Sequence, residues 1–205
     1  MNKELDYLNI SYTDSDKDYI DYISKEVDEK SKKIIDFFEI KDYKDKSKVI
    51  IINNIDEFRQ MFLKENNTYP PDWVCGFAKD KNIWVLSFDE YKKTHNHEND
   101  TIDDMIKLVL HEFVHNVYKM RSKNMQVKWL SEGVATYLSD QYPNAKSINC
   151  TYEELLNNTS YTNYKVMFSY VLNTYGKDYI LKLIDDINLL NKETKRLYEE
   201  AKGEF

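Results

Sequence analysis

Two of the chain's four histidines stand within one helical turn, in the stretch His111-Glu112-Phe113-Val114-His115. On a helix, positions i and i+4 lie side by side, about 5–6 Å apart at Cβ. Two imidazoles so placed can share one zinc ion, with Zn–N bonds of about 2.0–2.1 Å. Glu112 is turned about a quarter of the way round the helix. Its carboxylate therefore reaches a water beside such an ion rather than the ion itself. Taken alone, this pattern also arises by chance on surface helices. Its surroundings argue otherwise: "IKLVLHEFVHNVY" is an apolar helical stretch, where two histidines and a glutamate are awkward as plain core.

A catalytic zinc usually takes three protein ligands and keeps one open position. "KWLSEGVATYL" (128–138) supplies the third candidate, Glu132, early in a segment with Trp129, Leu130, Val134, Ala135 and Leu138 around it. An unpaired buried charge is very costly, so an acid among such neighbours needs a partner, and a metal ion is one. The gap from His115 to Glu132 is long enough to end one helix, turn, and start an antiparallel one. Taken singly, Glu132 would read as a cap or a surface acid; beside the histidine pair it reads as a ligand.

The elements that must position these residues follow from periodicity. Residues 5–12 alternate loosely and read as a first strand. From Asp16 to Phe38, apolar residues recur at Ile20, Ile23, Val27, Ile34 and Phe38 at helical spacing. "KVIIIN" (48–53) is β-branched and short, hence a buried strand parallel to the first. Residues 54–63 predict a short capped helix and 66–72 a loop. Residues 73–78 and 83–88 predict a hairpin turning at "KDKN". Residues 91–100 read as a polar loop, with His95 and His97 solvated rather than a second metal site. The rest reads helical, over 101–121, 126–141, 151–157, 161–175, 177–188 and 192–202. Gly176 stands as a helix C-cap. The expected fold is α+β: a small mixed β-sheet with an edge hairpin and the motif helix (1–121), followed by a mainly helical half (122–205), in one domain.

Bulk properties narrow the partners. The 205 residues carry 29 basic and 36 acidic side chains, a net charge of −7, which disfavours nucleic acid and anionic membrane. No apolar run approaches the roughly 20 residues of a membrane helix, and "MNKELDYLNISYTDSD" has no apolar signal-peptide core. The chain as given reads as cytoplasmic, a trimmed export signal aside. Cys75 and Cys150 are too few for a disulfide scaffold or a cysteine zinc site, and read as two reduced thiols or one disulfide. The run at 24–33 is a solvated helix face. Trp129 reads as packing that seats the ligand helix, and Asn116 as a helix-face amide.

"HEFVH" followed by "WLSEGVATYL" resembles the gluzincin metallopeptidases, the thermolysin and zinc-aminopeptidase superfamily, and is most similar to small bacterial proteins of the peptidase-MA-like type. The resemblance extends over about 48–188, through "PPDWVCGFAKDKNIWVLSF" upstream and "YTNYKVMFSYVLNTYGKDYILKLI" downstream, with decreasing specificity away from the two motifs. It implies a minimal zincin catalytic domain with His111, His115 and Glu132 as zinc ligands. The zinc would polarise a water and the scissile carbonyl. Glu112 would be the general base, passing the water's proton to the leaving amine. In the aminopeptidases a tyrosine fifteen residues before the glycine ending its helix stabilises the oxyanion; counting back from Gly176 lands on Tyr161. The chain holds seventeen tyrosines, so Tyr164, one turn on, is the rival.

Two departures refine this reading. Thermolysin places an aspartate four residues after the ligand glutamate, to support a histidine. Thr136 stands there in this chain, and its hydroxyl could bond an imidazole without charge. The aminopeptidases grip the substrate's amino terminus with a glutamate in Gly-x-Met-Glu-Asn, whereas the hairpin here reads "CGFAKDKN". With Ile83–Ser87 as an edge strand for an extended peptide, internal cleavage of flexible segments is expected. The alternative is a catalytically silent, zincin-like module that binds a peptide or protein. Retention of Glu112 favours the enzyme, because a binder needs no base.

Overall fold

The computed structural model describes residues 1–122 and 127–204. The chain divides into two compact units, Met1–Asn116 and Val117–Phe205, the boundary falling inside helix α4 (Ile102–Arg121). The architecture is mixed, a small five-stranded sheet accompanied by helices, in keeping with the expected α+β class. Among the described residues, no helix is long and apolar enough to cross a membrane.

In the first unit the sheet runs β1 (Asn2–Glu4), β2 (Leu8–Ser11), β3 (Ser47–Ile52), β5 (Asn82–Leu86), β4 (Gly76–Lys79) in spatial order. The expected first strand, 5–12, is β2, and an additional short strand, β1, pairs with it antiparallel. β3 is parallel to both β2 and β5, and its four branched residues suit a strand flanked on both edges. Parallel neighbours need a crossover, supplied by α1 (Lys17–Phe37) between β2 and β3. The buried face of α1 holds Ile20, Ile23, Val27 and Ile34, the expected stripe. α2 (Ile55–Asn66) is capped by Asn54, whose side chain accepts from the Asp56 and Glu57 amides at 2.9 and 3.0 Å.

β4 and β5 form the expected hairpin, and the short helix α3 (Phe88–Tyr91) follows β5. The hairpin's turn residues Asp80 and Lys81 take left-handed φ of 48° and 66°, as tight hairpin turns that match strand twist require. One expectation fails here. β5 lies between β3 and β4, so Ile83–Ser87 is not the edge; β4 is. Ile83, Trp84, Val85 and Leu86 are all buried because β5 is an inner strand. Phe77 on β4 stacks on its cross-strand partner Trp84, ring centres 4.7 Å apart.

The second unit is helical in its described residues: α5 (Lys128–Leu138), α6 (Tyr152–Asn157), α7 (Tyr161–Tyr175), α8 (Lys177–Asp185) and α9 (Ile187–Gly203). The expected start of α5 at residue 126 lies outside the described residues. α9 begins five residues earlier than periodicity suggests, because Asp186 caps it, accepting from the Asn188 and Leu189 amides. Gly176 ends α7 with a φ of 81°, as expected. Trp129 is fully buried and its indole N–H donates to Thr194 of α9 at 3.1 Å, which seats α5.

Candidate metal centre

α4 supplies the histidine pair. Asp103 and Asp104 open the helix and Lys119 and Arg121 close it, both matching the helix dipole. From Val109 to Tyr118 every residue is buried except Glu112, which is half-exposed. His111 and His115 retain only 6% and 9% of their exposure. Their Nε2 atoms converge to 3.1 Å, with the rings edge-to-face at 4.7 Å. Two nitrogens each about 2.0–2.1 Å from one tetrahedral ion stand about 3.3 Å apart, so this separation fits a shared zinc.

The register of α4 is held by a polar contact that the sequence reading missed. Asn116, read as a helix-face amide, is buried; its Nδ2 donates to Ser47 Oγ at 3.2 Å, at the start of β3. Ser47 also bonds the Tyr43 hydroxyl at 2.6 Å, and the Tyr43 ring meets Phe113 edge-on at 5.7 Å. The available signal was position: Asn116 continues a buried run directly after His115.

Glu132 lies on α5, where Trp129 to Thr136 are all buried except Glu132 itself, which is half-exposed. The close packing of α5 on α7 rests on Gly133. A Cβ there would stand 2.7 Å from Phe168 Cβ and 2.8 Å from the Tyr164 carbonyl oxygen. Ligand atoms of His111, His115 and Glu132 lie within 4.8 Å of one another, and no other such group of three or more His, Cys, Asp or Glu occurs among the described residues. Two imidazoles and a carboxylate are a fitting donor set for zinc. Thr136 follows Glu132 by one helical turn. Its hydroxyl faces its own helix, 2.8 Å from the Glu132 carbonyl and 3.0 Å from that of Gly133.

Tyr161 and Tyr164 differ in availability. Tyr161 is half-exposed at the first turn of α7, its ring stacked 6.2 Å from Tyr142. Tyr164 is 2% exposed, and its oxygen accepts the Thr159 amide at 3.2 Å. Burial, with the Glu132 charge adding to it, pushes the Tyr164 hydroxyl above its ordinary pKa.

Cys75 and Cys150 are free and buried. His95 is exposed, as expected, whereas His97 is half-buried and held in place rather than freely solvated. Its Nδ1 lies 2.7 Å from Asp100 Oδ2 and its Nε2 3.1 Å from the Trp73 carbonyl oxygen. Comparison with protein-family models, with curated proteins and with solved structures finds no match.

Proposed function

We propose that the chain is a zinc-dependent peptidase of gluzincin type, cutting extended peptides or flexible protein segments internally. The observation that carries this reading is the buried histidine pair on α4, its Nε2 atoms 3.1 Å apart, with the half-exposed Glu112 beside it. His111, His115 and Glu132 would hold the ion. Bound there, zinc supplies Lewis-acid polarisation of a water and of the scissile carbonyl. Glu112 takes the water's proton and delivers it to the leaving amine. Its partial exposure, within a stretch of α4 from Val109 to Tyr118 otherwise closed to solvent, suits a base that must meet water. The Tyr161 hydroxyl donates to the carbonyl oxygen as charge builds there. The half-exposed ring favours it over the buried Tyr164.

The peptide would add to β4, the sheet edge, rather than to β5. Gly76 at the start of β4 packs so closely on α4 that a Cβ would stand 3.1 Å from the Leu108 side chain. Leu108 is one helical turn before His111 and Glu112, which brings the edge strand alongside the motif. Main-chain pairing is largely indifferent to sequence, and β4 offers no acidic side chain to hold a free amino terminus.

Elemental analysis of the purified chain tests the metal. Near-stoichiometric zinc that falls sharply in His115→Ala is expected; full retention in that variant would remove the site. Mass spectrometry of a peptide-library digest, with free and N-acetylated peptides, tests the cut. Internal cleavage regardless of acetylation is expected. Removal of single residues that acetylation abolishes would refute it, and stoichiometric zinc without turnover would leave a binding module.

A further inference from the structure

A second chemically equipped cluster lies in the first unit, apart from the histidine pair. It comprises Cys75, just before β4, with Tyr91, His97 and Asp100 from the segment that follows β5. His97 is held at both ring nitrogens by acceptors. The Trp73 carbonyl oxygen, 3.1 Å from Nε2, can only accept. Asp100 Oδ2, 2.7 Å from Nδ1, already receives the Tyr91 hydroxyl at 2.7 Å. Burial, and after it the Asp100 carboxylate, push that hydroxyl well above its ordinary pKa, so it stays a donor. The ring therefore carries a proton on each nitrogen and is a cation fixed by Asp100. Cys75 Sγ lies 3.5 Å from the same Trp73 oxygen, so the sulfur and the cationic N–H converge on one atom. The Cys75 sulfur, more than the Asp100 carboxylate, holds the imidazole up at about 9, against the effect of burial.

A nucleophile, a proton donor and the carboxylate that fixes the donor thus belong to one cluster, the parts that thiol chemistry uses. Cys75 is 3% exposed, which restricts its partners to small electrophiles. We propose that Cys75 is a modification site, a thiol that reacts with small hydroperoxides using the His97 imidazolium as proton donor. The sulfur lone pair attacks one peroxide oxygen; the S–O bond forms as the O–O bond breaks. The O–O bonding pair leaves on the far oxygen, which takes the His97 Nε2 proton and departs as water or an alcohol. The thiol proton then restores the imidazolium. Sulfur loses two electrons and the peroxide gains them, leaving a sulfenic acid.

Cys150 is the internal control. It too is buried; burial pushes its thiol up and the nearby Glu154 charge adds to this, with no histidine among the groups that act on it. The full chain is treated with hydrogen peroxide at pH 7 and quenched at intervals with catalase. It is then unfolded in the presence of dimedone, which caps sulfenic acid, and iodoacetamide, which caps remaining thiols. Mass spectrometry of the two cysteine peptides gives both rates. Cys75 is expected to oxidise at least about tenfold faster than Cys150, and His97→Gln to remove most of that difference. Asp100→Asn, which keeps the size of the side chain, should slow Cys75 without exposing it; thermal unfolding of both variants verifies the fold. Equal rates at the two cysteines, or a Cys75 rate that is unchanged or raised in both variants, would overturn the proposal and leave a structural clamp.

Discussion

Gly133→Ala separates two opposite expectations. Judged by helix propensity, the change should stabilise α5 by about 0.8–1 kcal/mol, because alanine is the better helix former. Packing argues the other way. The new Cβ would lie 2.7 Å from Phe168 Cβ and 2.8 Å from the Tyr164 carbonyl oxygen. Carbon atoms settle at about 3.5–4.0 Å, so relief needs a shift on the order of 1 Å. Neither obstacle is the end of a flexible side chain; one is backbone and the other is fixed to it. Both lie on α7, so the two helices must part. Overpacking of this kind costs about 1–3 kcal/mol, and rigid obstacles place it near the upper end. Subtracting the propensity gain leaves a net loss of about 2 kcal/mol, which for a chain of this size lowers Tm by about 4–8 °C. Denaturant and thermal unfolding of the two proteins under identical conditions measure it. A Gly133→Ala protein as stable as the parent would refute the close approach of α5 and α7.

Glu112→Gln should keep the zinc content and the fold while lowering kcat by about 10²–10⁴-fold, read by elemental analysis and peptide hydrolysis. Tyr161→Phe should lower kcat with little change in KM, whereas Tyr164→Phe should act mainly on stability; a slow Tyr164→Phe beside a normal Tyr161→Phe would exchange the two roles. The His97 clamp makes stability fall at alkaline pH. Its folded pKa of about 9 lies above the ordinary 6.5, so its stabilisation is complete below about 6.5 and lost as pH rises through 9. Denaturant unfolding at pH 6 and 10 should show this loss in the parent, and His97→Gln should remove most of it.

The motif helix was legible because its signal is local: a spacing of four puts the histidines on one face, and the apolar run around them demands a helix. The order of strands was not, although a clue was present. "NIWVL" does not alternate, and a strand without alternation is buried on both faces, as an inner strand is. Reading it as the edge gave proximity in sequence to the motif more weight than that pattern. His97 was misread for a different reason. Its neighbours in sequence are polar, and its partners include a backbone carbonyl twenty-four residues upstream. A carbonyl has no residue signature, so no sequence pattern announces such a clamp. Thr136 shows the converse: a hydroxyl within a helix interior finds its own carbonyls before any distant imidazole, which physics alone favours.

Glu112 and Glu132 together show why a glutamate in an apolar run carried so much information. Each sits in a helix whose neighbouring positions are buried, and each is the position that stays half-exposed. A carboxylate sealed there without a compensating charge would cost several kcal/mol, more than most single contacts contribute. A sequence under selection for stability alone would place leucine or alanine at both positions. Two acids at these positions are in keeping with the proposed metal site, in which Glu132 would meet a cation and Glu112 would meet water.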